Sequence, residues 1–538
     1  MLNMNMRRRN AWILSFAGVV CVVGIFLFVL LENWKYAHIP IEYETKVLGM
    51  AIVDDLYFLE SKELLETDEN PGVIFENVLL PYDALSNTLY LSQSIEKEEW
   101  IGELRATEKG WFICALKDSF WNMKNEAIST GHAFEVLLVG PEDYYVMNLV
   151  ISGMPIISIN TEDMERLKNE EEVLGVLSVF NSDVGNEYYE IHQSYMSWRI
   201  KGGTSRAYEK KGYALKLLDH KGNKLDTSLL GMRSDNSWKL NALYTDDNKI
   251  REMTASQIWE QFCDAYPGNN QEGAHMEYVE VILNNEYMGI YCLVEPVDED
   301  KLQMDYNDVL YKCVGWKVPM NDDFVASIEN QLSSVADIRI NYPKTISDFT
   351  MVWNPLRDYI DKFFVNPQLN YEEALAVVDV RNLSDVFMFL MVVSASDNSY
   401  KNMYLAADVS SSGSYVMREI PWDLDYSFGN VYPKEFNSNY SVVYANTALP
   451  RLKMERKDEI GTYFLQQWKE YRQTFLKTDN ILNLLIDNRN YLVETGAIKR
   501  EMERWPNLPI SSDIDYLLEY QEKRMEWLDD FFVKWATN

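Results

Sequence analysis

The chain has 538 residues, too many for one compact core, so two or three domains are expected. Asp and Glu number 83 against 50 Lys and Arg, a net charge of −33 with no basic stripe, which excludes a nucleic-acid surface. The five cysteines, Cys21, Cys114, Cys263, Cys292 and Cys313, form no CxxC pair, which excludes a disulfide-dense scaffold and a sequence-readable zinc site.

Residues 1–10 are a basic tail containing Arg7, Arg8 and Arg9, and residues 11–31 carry no charge. At 1.5 Å per residue such a run spans about 30 Å, one bilayer core. A cleaved signal peptide would have a shorter apolar core ending in a small-residue cleavage site, so the run reads as a transmembrane anchor. With the arginines on its N-terminal side, the tail is expected in the cytoplasm and the main domains outside it, in a single-pass protein of the cell membrane. Residues 32–44 read as a linker. Residues 45–153 alternate at 87–91, 110–115 and 134–139, with a short strand at 148–151, and predict a small β-sandwich-like domain. Its motifs carry no chemistry, which suits a spacer or binding module.

At Gly153 the character changes, and a second domain is expected over 154–538. A strand at 154–160 opens it, with a helix near 161–173. Residues 197–218 read as two strands around a turn containing Gly202, Gly203, Ser205 and Arg206. Such a turn can cover phosphate groups with its backbone amides; an ordinary hairpin is the alternative. Alternation places Tyr213, Leu215 and Leu217 on one strand face and Lys216 on the other. Kinases hold a strand lysine against the nucleotide phosphates in a similar A-x-K context, while an exposed edge lysine is the plainer reading. Residues 249–262 predict an amphipathic helix with Ile250, Met253, Ile258, Trp259 and Phe262 apolar. Glu252 or Glu260 could pair with Lys216, and Arg251 is another candidate on that helix. Residues 278–295 form a hairpin around Asn284, Asn285 and Glu286, running into Glu295, Pro296, Val297 and Asp298. A strand leaving into a short acidic connector is how a kinase hinge begins, and adenine would bond to the backbone there. Residues 302–375 are harder to read, with a helix expected near 349–364.

The stretch 382–430 carries the chemistry. An apolar helix leads to Asp397, and Asn402 follows five residues later. Two strands, 403–406 and 415–420, flank a Ser/Gly turn at 410–414, and the second delivers Asp423 and Asp425. A few oxygen ligands brought together by one hairpin suit Mg²⁺, which keeps waters and substrate phosphates as its other ligands. Asp397 could accept the proton of a substrate hydroxyl, Asn402 and Asp423 could ligate a cation, and Asp425 could hold a second. Asx turns and a solvated acidic turn are the structural alternatives. Asp423 and Asp425, about 7 Å apart on one strand face, could also serve glycosidic chemistry. No other sugar-site signal accompanies them, and such an enzyme would not require Asp397 and Asn402. The remaining chain predicts helices at 463–476, 478–488, 491–505 and 512–534, with aromatic stripes that suit core packing.

The segments WRIKGGTSR, KGYALKL, VEVILNNEYMGIYCLVE, DNSYKNMYLA and IPWDLDYSFGN together resemble the CotH spore-coat kinase family, over roughly residues 154–535. The resemblance implies an atypical protein-kinase-like domain, with an N-lobe at about 154–295 and a C-lobe at about 296–538. The expected class is therefore α+β: a transmembrane helix, a β-sandwich-like domain and a two-lobed kinase-like domain with a helical C-terminal part. It further implies ATP, Mg²⁺ or Mn²⁺, and a protein substrate with a Ser or Thr acceptor in a surface or coat protein. By motif position Asp397 looks like the catalytic aspartate, with Asn402, Asp423 and Asp425 toward metal. Lys216 looks like the phosphate lysine, with Lys210 and Lys211 as rivals. Gly202, Gly203, Ser205, Arg206, Glu295 and Val297 would contact nucleotide. Departures from protein kinases are Ala395-Ser396 in place of His-Arg, Asp423-Leu424-Asp425 in place of Asp-Phe-Gly, and no Ala-Pro-Glu element. Without that arginine, no activation-loop switch is expected. Because ATP is scarce outside cells, a non-catalytic surface interaction protein is the second reading.

Overall fold

The structure, a computed structural model, describes residues 45–117, 124–182, 189–268, 272–366, 368–399, 401–444 and 447–538. The chain divides into two compact units at Ser152/Gly153. The expected anchor at 11–31 lies outside the described residues, and no described helix is long and apolar enough to cross a membrane. Cys114, Cys292 and Cys313 are free thiols.

The α+β expectation needs correction, because the architecture is mixed α/β. The first unit holds one eight-stranded sheet and a separate three-stranded one. In the larger sheet Met50–Val53 runs parallel to Phe112–Leu116, and Asp143–Ser152 parallel to Thr88–Ser92, while Ala133–Val139 is antiparallel to both neighbours. Alternation in sequence identifies strands but not their partners, and these parallel pairings are what a meandering sandwich would lack.

The second unit opens with a closed seven-stranded barrel rather than an open lobe. Its strands are β1 (Ile156–Asn160), β2 (Val173–Asn181), β3 (Glu190–Ile200), β4 (Tyr213–Leu218), β5 (Ser237–Asn241), β6 (Met276–Leu283) and β7 (Tyr287–Val294). They close in the order β1-β2-β3-β4-β5-β7-β6, with β1 parallel to β6 through Ile156 opposite Glu280 and Ile159 opposite Leu283. Trp198, Leu215, Leu217, Trp238, Leu240 and Tyr291 fill the interior. The β6–β7 turn places Asn284 and Asn285 at φ 46° and 60°, the left-handed pair that a two-residue hairpin requires.

Helix α1 (Arg251–Asp264) follows β5 and covers the outer face of β6 and β7, where Ile290, Cys292 and Val294 join Ile258 and Phe262 in the main core. Strand β7 is buried on both faces, which explains its unbroken apolar run. Beyond the barrel, β8 (Val309–Cys313), β9 (Ser334–Val335), β10 (Ile338–Tyr342), β11 (Met403–Val409) and β12 (Tyr415–Pro421) form a sheet ordered β9-β10-β8-β11-β12. Helix α2 (Phe349–Ile360) continues as a π-helical turn over Asp361–Val365, and helix α3 (Val380–Val392) is capped by Asp379, which accepts from the amides of Arg381 and Asn382. Near the C-terminus, α4 (Ala497–Arg504) packs on β7 and carries Trp505 into the barrel core, and α5 (Asp515–Thr537) closes the helical part.

Candidate active site

Helix α3 ends where Ser394 turns left-handed (φ 56°), and the chain passes at once through Asp397 and Asn402 into β11. The returning strand β12 delivers Trp422 and Asp423. Asn398 clasps the two ends of this hairpin: its Nδ2 donates to the carbonyls of Asn402 (2.9 Å) and Trp422 (2.8 Å). The Trp422 amide in turn donates to the Asn402 carbonyl at 3.0 Å. Two further tethers hold the segments together, from the Ser396 amide to the Tyr426 carbonyl (2.9 Å) and from Asn430 Nδ2 to the Asp425 carbonyl (2.8 Å). Asn402 and Asp423 both sit in left-handed backbone, at φ 53° and 60°. Such conformations persist only where surrounding bonds impose them, and they concentrate at functional sites.

Asp397 is buried, and burial raises its pKa above the ordinary carboxylate value, while Lys401 and Asn402 oppose the rise. Lys401 Nζ and Asn402 Nδ2 both donate to Oδ2 of Asp397, the latter at 3.0 Å. Oδ1 takes part in neither of these bonds. Asp423 lies within electrostatic reach of Asp397, Asp425 and Glu252. Burial, then Asp423 and Glu252, hold Asp425 well above the usual carboxylate range; its Oδ2 accepts from Thr245 Oγ1 at 2.8 Å.

The cations facing these carboxylates come from the barrel and the sheet. On β5, Trp238 and Leu240 point into the barrel, so Lys239 points out. Its Nζ lies 3.8 Å from the centre of the Trp422 ring, and Lys312 Nζ, from β8, lies 4.8 Å from the same ring. Lys201, just past β3, donates to Asn241 Oδ1, and Asn241 Nδ2 donates to Glu252 Oε1 at 2.7 Å. The three side chains thus form a lysine–asparagine–glutamate bridge. Burial lowers the pKa of Lys201 and Lys239, and burial with the Asp423 charge pushes Glu252 up to about 8. Beside Lys239 the outer barrel face and Pro296 border a cleft of about 100 Å³, lined also by Arg199, Ala214, Lys216 and Ser237.

Of the residues expected from sequence, the structure brings together Asp397, Asn402, Asp423 and Asp425. Lys216 shares the outward face of Lys239 but lies at the rim of the cleft, 55% exposed, with its Nζ 3.3 Å from Glu172. Its two rivals are committed elsewhere. Lys210 is buried against Glu501 at 2.6 Å, and Lys211 donates to the carbonyls of Arg206 and Tyr208. Gly202 has φ 107°, and a Cβ there would meet Ser205 Oγ at 1.9 Å, so the turn needs glycine; Gly203 faces open space. Arg206 is held by Glu170. The Glu295 carboxylate accepts from the Arg233 amide (2.8 Å) and Lys301 Nζ (2.6 Å), and Val297 is buried in the core, which leaves Pro296 as the connector residue at the cleft. Sequence reasoning missed Lys201, Lys239, Lys312, Asn398 and Lys401.

Among the described residues no group of three or more His, Cys, Asp or Glu side chains is spaced to hold a metal ion. Asp423 and Asn402 carry oxygen donors, the ligand type that Mg²⁺ takes when phosphates and waters supply the rest. Three partly buried lysines without a carboxylate within salt-bridge distance, among the described residues, suit the phosphates themselves.

A search of curated proteins finds no match to this chain. The family described as CotH kinase protein matches residues 198–528, from the end of β3 into α5, and spans every site residue above. With more than half of its length inside that match, the chain belongs to the CotH kinase family.

Proposed function

We propose that the protein transfers the γ-phosphoryl group of ATP to a Ser or Thr hydroxyl of a surface or coat protein. The observation that carries this reading is that the Asp423 carboxylate acts at once on Lys201, on Lys239 and on Asp397, with Lys312 beside the two lysines. The cleft beside Pro296 would take the nucleoside, and the lysine amines would hold its phosphates. Asp397 Oδ1 would accept the acceptor's proton as the new oxygen–phosphorus bond forms, while Lys401 and Asn402 keep Oδ2 occupied. Lys239 and Lys201 would face the charge left on the departing diphosphate. Asn402 and Asp423 would hold Mg²⁺ or Mn²⁺, which when bound neutralises the phosphate oxygens. A place at the cell membrane, with the site on the extracytoplasmic side, also belongs to this proposal; it rests on the arginines and the uncharged run of the first 31 residues alone.

The test is transfer from γ-labelled ATP with Mg²⁺ or Mn²⁺, comparing the wild type with Asp397→Ala and Asp423→Ala. Label on an acceptor protein or on the chain itself with the wild type alone is the expected result. Metal-dependent nucleotide binding without transfer would favour the non-catalytic interaction protein, and no nucleotide binding would remove both readings.

A further inference from the structure

Two segments meet beside the candidate site, one from the barrel and one from the chain beyond Asp425. The turn at 202–207 starts just after Lys201, whose ammonium feels the Asp423 charge, and it ends in Tyr208. Beyond Asp425 the chain forms a small hairpin in which Asn430–Val431 pairs with Glu435–Phe436. This hairpin is well footed. Asn430 Nδ2 donates to the Asp425 carbonyl at 2.8 Å, and the Asn437 amide donates to the Gly429 carbonyl at 2.8 Å. The Phe436 ring stands edge-on to Tyr516 and Tyr520 of α5, with ring centres 4.8 and 5.5 Å away.

Lys434 reaches from this hairpin to the barrel. Its Nζ lies 3.3 Å from the centre of the Tyr244 ring and 5.3 Å from that of Tyr208. The two rings stack on each other, 4.5 Å apart and 20° from parallel. Tyr244 follows β5 and Tyr208 closes the glycine turn, so one ammonium holds two barrel segments at once. Its position is costly on two counts. Its backbone has φ 116°, a region that favours glycine and persists elsewhere only where the surroundings impose it. Burial, with the Lys249 charge, also lowers the pKa of the amine to about 8. The attraction of a cation to the faces of two rings offsets that cost. Packing alone would not need the charge, since a methionine could cover the same rings.

We propose that Lys434 is a positioning residue that pins the turn at 202–207 beside the phosphate end of the site by holding Tyr208 and Tyr244. What the turn covers rests on the phosphoryl-transfer reading; the grip itself stands on the three side chains.

Limited tryptic digestion of the full chain without nucleotide reads the grip directly, as the rate of cleavage after Arg206 followed by mass spectrometry. Lys434→Met, which keeps the length and loses the charge, should be cut about 10-fold faster than the wild type, the scale of a lost cation–ring contact. Lys434→Arg keeps the cation and should stay within about twofold. Tyr244→Leu should behave as Lys434→Met does, and Tyr244→Phe, which keeps the ring, as the wild type does. In the transfer assay Lys434→Met should raise KM for ATP more than it lowers kcat, and Lys434→Arg should restore KM. Equal cleavage of wild type and Lys434→Met, or no protection by arginine, would overturn the grip whatever the chain transfers. An unchanged KM in a Lys434→Met protein that is cut faster would overturn the positioning role. The cleavage contrast in a chain that transfers no phosphate would support the grip and overturn the transfer reading instead.

Discussion

Asp397 receives two donors on one oxygen, and that asymmetry sets what its neighbours do. Burial raises its pKa, and the Lys401 ammonium is the largest opposing influence. A base must be ionised to accept a proton, so the acid limb of the pH–rate profile should lie above the ordinary aspartate value of about 4. Removing Lys401 takes away a group that lowers the pKa, so Lys401→Ala should move that limb further up. Activity would then fall most at acidic pH and recover partly at alkaline pH; an unshifted limb would exclude this role. The lysines offer a second contrast. Lys239→Met should cost roughly 10²-fold or more in kcat/KM for ATP, the scale of a lost transition-state contact, whereas Lys216→Ala should stay within about twofold because its charge sits in solvent beside Glu172. The carboxylates were legible because D-x4-N and D-x-D lie within one hairpin of sequence. The lysine was not, because A-x-K at Lys216 and W-K-L at Lys239 share the same alternation, and only the pairing of β5 with β7 brings one of them to the connector.

At the level of the hairpin, the clasp made by Asn398 does what no pairing within β11 and β12 can do. Those strands pair from Met403 with Pro421 to Val409 with Tyr415, and the ladder stops one residue short of both Asn402 and Trp422. Asn398 Nδ2 bridges that gap, and it supplies the donor for the Trp422 carbonyl. Asn398→Ala should leave the Trp422 carbonyl without this donor, a loss of about 1–3 kcal/mol, while the Asn402 carbonyl keeps the Trp422 amide. It should also let Asp423 leave its left-handed backbone, so activity is expected to fall by more than the lost stability explains, measured as kcat/KM on protein still folded by circular dichroism. The sequence made the helix and both strands of this element readable, since each has its own periodicity. It could not show that β1 closes the barrel on β6, because a parallel pairing between residues some 120 positions apart leaves no local pattern. The sandwich expected at 45–153 missed for the same reason.

The whole second unit is held by its far end. Helix α4 returns to the barrel, where Arg500 Nε and Nη2 meet the two oxygens of buried Glu280 at 2.7 Å each, and Glu501 accepts from Lys210 Nζ (2.6 Å) and the Ile290 amide (2.7 Å). Gly289 makes room for this contact: it has φ 86°, and a Cβ there would meet Glu501 Oε2 at 1.9 Å. Glu280 sits on β6 and Ile290 on β7, and β7 leads into the connector at Pro296, so the strap holds the strand that leads to the cleft beside Lys239. Removing one partner of such a buried pair costs about 3–5 kcal/mol, because the other is left as an uncompensated charge, whereas replacing both by apolar groups can be nearly neutral. Arg500→Met should therefore lower the thermal midpoint of this unit by several degrees, and Arg500→Met with Glu280→Leu should recover most of the loss. If the strap also sets the cleft, the single variant will raise KM for ATP more than it lowers kcat, and the double variant will bring KM back with the stability. A double variant no more stable than the single one would mean that the pair acts through its geometry rather than through its buried charge.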